Sequence, residues 1–336
     1  MQELYPLGKL PSEYLTRLFD RYVPSDERVI LGPGIGHDAA VISFPDRYLV
    51  AKSDPITFAT EDIGWYAVHV NANDIACTGA TPRWFLVTLL LPQSGTDERL
   101  VDEIFEQIAN TCEQLDIALV GGHTEITHGL DRPIVAGFML GEVAADALIR
   151  PDGARPGDIL LLTKGIAVEG TAIIAREREG QLVGVDGALI ERSQQYLYEP
   201  GISVVRDAIV ATAAGEVHAM HDPTEGGLAT GLWELAEAAK VGLVVDEAAI
   251  PILPETRVLC EALELDPLGL IASGALLLAV APHHADGIVA ALEADCISAA
   301  SIGRVVEAGE GVTLHSEGGT VRLPRFYRDE LTRLFE

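Results

Sequence analysis

Basic residues are scarce in this 336-residue chain: 23 lysines and arginines stand against 51 aspartates and glutamates, a formal net charge of −28 at pH 7. Such a field repels nucleic acid and anionic membranes, so neither is expected as a partner. An anionic ligand needs bridging cations or a local positive cluster. Cysteine is sparser still. Cys77, Cys112, Cys260 and Cys296 form no CxxC pair and sit in apolar or helical stretches, which reads as buried thiols in a reducing compartment. Long apolar runs are missing, since WFLVTLLL and ALLLAVA fall well short of the roughly 20 residues that span a bilayer. The opening MQELYPLGKLPSEYL lacks the apolar core of a secretion signal, so a soluble cytoplasmic protein is expected. There is also no GxxxxGK[ST] loop, no GxGxxG spacing and no GxSxG elbow.

What is present is an ordinary globular composition, 48% hydrophobic and 22% charged. The length exceeds that of a usual single core and predicts two domains. Prolines and glycines in LIRPDGARPGD place the division near Arg150, giving domains 1–150 and 151–336. Strand and helix patterns alternate in both halves, which predicts an α/β fold with some antiparallel pairing. In the first half, residues 12–22 read as a helix, AAVISF and YLVAKSDPI as strands, and 63–78 as a helix. The strand RWFLVTLLL follows. Leu100, Ile104, Ile108 and Leu115 then mark one face of a helix, and DIALV and RPIVAGFMLGEV continue the sheet. The second half alternates from DILLLT to the β segments SIGRVVEA and GVTLHSEGGTVRL.

Five stretches carry candidate chemistry. GPGIGHD offers Gly34 and Gly36 before Asp38, either a plain turn or a loop whose backbone approaches a ligand. In AKSDPITF, Asp54 closes a strand, where a turn starter and a phosphate- or metal-handling carboxylate are both common. VHVNANDIAC places Asn71 and Asp74 three apart on one helix face with Asn73 beside them. Asn and Asp are poor helix formers, so three within four positions suggest a functional face. In HDPTEGGL, Asp222, Pro223 and Glu225 form a capping box, yet Gly226 and Gly227 each cost about 1 kcal/mol against alanine inside a helix. Glycines there suit an anion on the N–H groups of a helix start, with Thr224 beside it. In LVGGHTEITHG, Gly121 and Gly122 are expected to turn the chain, with His123 reaching a site from the strand end. Zinc on His123 and His128 is a weaker reading, because the spacing fits neither HExxH nor a finger. His218 with His221, and His283 with His284, are unpersuasive as metal sites. Aspartates and asparagines converging with glycine turns are how a protein holds Mg²⁺ and, through it, a nucleotide.

The ordered set GIGHDAAVI, SDPI, NANDIACTGATPRWFLVTLLLP, VGGHTEIT, ARPGDILLLTKG and HDPTEGGL resembles the aminoimidazole ribonucleotide synthetase (PurM-like) superfamily. That superfamily includes selenophosphate synthetase, thiamine-monophosphate kinase and the hydrogenase maturation factor HypE, and the HypE-like, AIR synthase-related branch is most similar. The resemblance implies an N-terminal α/β domain whose sheet joins its dimer mate's in a barrel, a C-terminal α/β domain, and ATP bound with divalent ions. It implies Asp38, Asp54 and Asp74 as metal and phosphate aspartates, with Asn73 beside the last. His123 falls where relatives carry Asp, Glu or His. Asp222, Thr224, Gly226 and Gly227 match the second-domain loop on the substrate side. Gly34, Gly36, Gly121 and Gly122 fall in the glycine loops of the nucleotide site.

The expected activity is ATP- and Mg²⁺-dependent phosphoryl transfer to an amide, carbamoyl or carbonyl oxygen of a small-molecule or protein-borne acceptor, by a homodimer. Asp222, Thr224 and His123 are the catalytic candidates. HypE carries a reactive C-terminal cysteine, whereas this sequence ends DELTRLFE, so chemistry on its own tail is not expected. A non-catalytic nucleotide-binding assembly or regulatory protein is the first rival. A thiamine-monophosphate-type kinase is the second, with GHD standing against that family's paired aspartates.

Overall fold

The computed structural model describes residues 12–23, 26–57 and 61–335. Two compact units emerge. One holds residues 26–32 and 38–148; the other holds helix α1 (Ser12–Tyr22), residues 33–37 and everything from Ile149 onward. Among the described residues, no helix is long and apolar enough to cross a membrane.

The first unit contains β1 (Val29–Leu31), β2 (Ala40–Ser43), β3 (Tyr48–Ile56), α2 (Ile63–Cys77), β4 (Thr81–Pro92), α3 (Glu98–Gln114), β5 (Ala118–Thr127) and β6 (Ile134–Val143). Its six-stranded sheet runs β1-β2-β3-β6-β4-β5. Only β4 and β5 pair in parallel, since a parallel neighbour needs a crossover and α3 supplies it. Asp97 starts α3 by accepting a hydrogen bond from the Leu100 N–H at 2.9 Å. Ile104, Ile108 and Cys112 form its buried stripe. α2 packs on β3, β6 and α3, and thirteen of its fifteen residues are buried, Asn71, Asn73 and Asp74 among them.

The second unit contains β7 (Ile159–Thr163), α4 (Val168–Glu177), α5 (Gly187–Gln194), α6 (Val205–Ala214), β8 (Val217–His221), α7 (Gly227–Ala239), β9 (Gly242–Asp246), α8 (Pro254–Leu263), β10 (Leu277–Val280), α9 (Ala285–Ala294), β11 (Ala299–Val306), β12 (Val312–Ser316) and β13 (Gly319–Arg322). Its seven-stranded sheet runs β13-β12-β9-β11-β7-β10-β8 and is antiparallel except for β12 beside β9. Leu160, Leu162, Leu277 and Ile302 meet Leu228 and Leu232 of α7 in one core. A second core gathers Ile174, Ile190, Leu259 and Leu270.

Several expectations change at this level. β8 is a full strand, an element that the sequence reading passed over. Three cysteines are buried, but Cys296 is exposed, at a left-handed residue just after α9. Burial pushes the Cys112 and Cys260 thiols up to about 11 and about 12, which keeps them protonated and unreactive. Asp222 is not the N-cap of α7. Gly226 is the N-cap, with φ 79°, and Gly227 follows at φ 65°, so the left-handed backbone ends the preceding turn before the helix begins.

The largest revision concerns LVGGHTEITHG. Gly121 and Gly122 make no chain reversal; they lie inside β5, a ten-residue strand at the sheet edge whose residues are nearly all exposed. The pairing with β4 slips by one residue at Phe85/Leu86, so the glycines sit at a bulge. A Cβ on Gly122 would stand 1.9 Å from the Val87 carbonyl oxygen, so close approach to β4 demands glycine there.

Candidate functional site

The first unit brings Lys52, Asp54, Asn71 and Asp74 together. Residues two apart on a strand share a face, so Lys52 and Asp54 of β3 point the same way. Beyond Ala51, β3 has no β2 partner. The carboxamide of Asn71 takes that place: its Oδ1 accepts from the Asp54 N–H at 2.9 Å, and its Nδ2 donates to the Asp54 carbonyl at 3.2 Å. The same Nδ2 donates to the Ala67 carbonyl at 2.8 Å. Asn71 is thus a clamp that fixes the backbone of Asp54, not a member of a ligand face. A Cβ on Gly137 would lie 2.4 Å from Asn71 Nδ2, so the glycine of β6 makes room for the clamp.

Lys52 Nζ lies 2.9 Å from Asp74 Oδ2 and 3.4 Å from Asp54 Oδ2. Burial by itself lowers the lysine pKa, but the charges of Asp74, Asp54 and Asp38 outweigh it and hold the ammonium well above its ordinary range. Three carboxylates facing one ammonium leave a net surplus of negative charge. The Asp74 side chain is only 7% exposed, whereas that of Asp54 is 39% exposed and open to a ligand. Asn73 is fully buried next to Asp74 on α2. Cys77, also on α2, brings its thiol within 4.8 Å of the Asp38 carboxylate, but the carboxylates that face Lys52 are hard oxygen donors of the kind that suit Mg²⁺.

His123 is not part of this cluster. Register places it level with Thr88, Ala136 and Pro55, which sets it three strands from β3, about 14 Å at ordinary strand spacing. Its ring is exposed and faces Glu125 on the same strand, with Nε2 3.3 Å from Oε2. Gly34 and Gly36 group with the second unit. Gly36 is glycine for a packing reason, because a Cβ there would lie 2.8 Å from the Glu234 carbonyl oxygen of α7.

The second unit builds its own polar loop from HDPTEGG. Asp222 is buried, and the Thr224 carbonyl accepts from the N–H groups of Gly227 at 3.0 Å and Ala272 at 3.3 Å. The Gly226 N–H, expected to meet an anionic ligand, instead donates to Asp329 Oδ2 at 2.6 Å. Burial raises the Asp329 carboxyl to about 6 despite backbone hydrogen bonds that favour its charged form. Nothing in the local sequence marks Asp329, more than 100 positions away, as the partner of this loop. Lys52 did carry a signal: it is a charged residue two positions before Asp54 in a strand otherwise rich in apolar residues.

Glu216, His283 and His284 cluster on the same unit. The Glu216 N–H donates to His284 Nδ1 at 3.1 Å, so the neutral ring carries its proton on Nε2. His218 is spent bridging Glu216 and Asp158. These bonds tie the start of β8 to its neighbours and engage the Nδ1 lone pair of His284.

Family models match both halves: the AIR synthase related protein N-terminal domain over residues 36–143 and the C-terminal domain over residues 155–315. The chain is 32% identical to carbamoyl dehydratase HypE of Cupriavidus necator over 304 residues, covering 86% of this chain and 82% of that protein. The chain belongs to the AIR synthase related family. Within that family, a crystal structure of the hydrogenase maturation protein HypE in complex with ATP superposes with a TM-score of 0.68 at 25% identity, covering 94% of this chain and 96% of that one. A HypE–HypF complex shares the fold, with a TM-score of 0.73 at 22% identity over 94% of this chain and all of that one. The PurM-like α/β architecture and the HypE likeness are therefore established for this AIR synthase related chain.

Proposed function

We propose that this protein binds ATP with divalent ions at Asp38, Asp54 and Asp74 and passes the γ-phosphoryl group to an amide, carbamoyl or carbonyl oxygen of a small-molecule or protein-borne acceptor. The observation that carries the reading is the Asp54–Asp74 pair around Lys52, with the Asp38 charge acting on the same ammonium and the Asp54 backbone clamped. HypE, the relative with the ATP complex, lends weight to it. Mg²⁺ would supply charge neutralisation of the polyphosphate, which an acidic protein of net charge −28 requires. The residues do the rest: Asn71 holds Asp54 in register, α2 keeps Asp74 dry, and Asn73 packs beside it. Phosphoryl transfer needs chiefly positioning and electrostatic stabilisation, so such a site is chemically sufficient.

Asp222 and Thr224 serve the acceptor side in this account, with Gly226 and Gly227 shaping their loop. The long exposed edge of β5, with Leu119, Val120 and Ile126 open to solvent, is the surface on which a second copy pairs. His123 then acts across that pairing and not within its own sheet. The protein works in the cytoplasm.

The test is oxygen transfer. With ATP, Mg²⁺ and ¹⁸O-labelled carbamoyl or amide acceptors, the acceptor oxygen attacks the γ-phosphorus and ADP leaves; later loss of the phosphate carries ¹⁸O into it. Labelled phosphate supports the reading. One observation favours a second reading, a nucleotide-binding protein without transfer: Asp329 already fills the Gly226 N–H on the acceptor side. That reading predicts tight ATP-analogue binding with no ADP formed across the acceptor screen.

A further inference from the structure

Lys52 is the charged group that the metal reading leaves unexplained. An ammonium among aspartates meant for a divalent ion competes with that ion, yet the fold holds it there. Its side chain is 20% exposed, and its Nζ contacts both Asp54 and Asp74. The two carboxylates come from different elements, β3 and α2, and would repel one another without a cation between them. A divalent ion that captured both would strand the ammonium beside a dication. The stranded group then needs a new anion, and a phosphate oxygen arriving with the metal is the one at hand.

We propose that Lys52 is a built-in counter-ion of this cluster, holding the Asp54–Asp74 pair when no divalent ion is bound and turning to a nucleotide phosphate oxygen when the ion takes the two carboxylates. The proposal rests on the ATP–metal reading above for its second half only. Its consequence is coupling: metal alone binds weakly because it must displace the ammonium, and metal with nucleotide binds well because the ammonium gains a phosphate. Lys52 is in this sense a positioning residue that makes the two ligands bind together.

The experiment is Mn²⁺ titration by calorimetry, with and without the analogue AMPPCP, on the full chain carrying Lys52, Lys52→Gln or Lys52→Arg. Lys52→Gln keeps hydrogen bonding to both carboxylates without the charge, and Lys52→Met replaces it if the Gln variant does not fold. The expected result is at least a tenfold gain in nucleotide-free Mn²⁺ affinity for Lys52→Gln and at least a tenfold loss of AMPPCP affinity in saturating Mn²⁺. Lys52→Arg, which retains the charge, should stay within about threefold of wild type for Mn²⁺ alone. Nucleotide-free Mn²⁺ affinity that is unchanged or weaker in Lys52→Gln overturns the proposal. Wild-type protein that binds Mn²⁺ but no AMPPCP sinks the ATP reading and the phosphate half, while the Mn²⁺ comparison still decides the counter-ion half.

Discussion

The Asn71 clamp makes a sharp quantitative test, because one buried side chain carries three hydrogen bonds. In Asn71→Ala, the Asp54 N–H and carbonyl lose the group that stands in for a strand partner. A buried backbone group left unsatisfied costs about 1–3 kcal/mol, so two of them give about 2–6 kcal/mol, with the lower end applying if water enters. The Ala67 carbonyl adds little, since it lies within α2. Trp65 and Trp84 report on the first unit and Trp233 on the second. Urea unfolding followed by fluorescence in a Trp233→Phe background therefore reads the affected unit. The midpoint should fall by the amount that this loss and the measured slope dictate, with the slope unchanged. The Asp54 amide should also lose hydrogen-exchange protection, and Mn²⁺ affinity should drop because Asp54 is no longer held in register. A destabilisation under about 1 kcal/mol with Asp54 still protected would refute the clamp.

Gly122→Ala forces a Cβ to 1.9 Å from the Val87 oxygen at φ 150°, so it should cost about 2–5 kcal/mol and expose β5 amides to exchange, while Gly180→Ala, with open space around it, should be silent. The Asp329 carboxyl is held at about 6 in the folded protein, above the ordinary aspartate value of 3.8, so its stabilising contribution is full below about pH 4 and is lost as pH rises through about 6. That is on the order of 3 kcal/mol; Asp329→Asn should flatten this slope in a pH series of unfolding midpoints for the second unit, and an unchanged slope would contradict it. Lys164 Nζ pairs with the buried Asp207 Oδ1 at 3.2 Å and donates to the half-buried Ser203 carbonyl at 2.5 Å. Asp207→Ala should cost about 3–5 kcal/mol by stranding the ammonium, and adding Lys164→Met should recover most of it in the same unfolding assay.

Much of the architecture was legible in the sequence because periodicity there is strong. α3 shows its stripe of Ile104 and Ile108, and β7 and β10 show short runs of buried aliphatics. Asp74 stands out as a poor helix former beside two asparagines, while Asp38 and Asp54 are picked out by the family resemblance of their motifs. What escaped was set by tertiary pairing. The sheet order that makes β5 an edge lies in β6 entering between β3 and β4, and no local pattern states it. That is why GGH read as a turn. The capping box before α7 had the right residues, but left-handed glycines and a carboxylate from Asp329 decide that helix start. Asn71 looked like a ligand beside Asn73 and Asp74; only the missing β2 partner of Asp54 shows why an amide is needed there.

The central claim is that Asp38, Asp54 and Asp74 hold the metal that brings ATP to this protein. Calorimetry with AMPPCP and Mg²⁺ on wild type and Asp74→Asn tests it most directly. Metal-dependent binding in wild type that weakens at least tenfold in Asp74→Asn, with the fold intact by circular dichroism, is the predicted result. Equal binding by the two proteins, or binding indifferent to Mg²⁺, would contradict it.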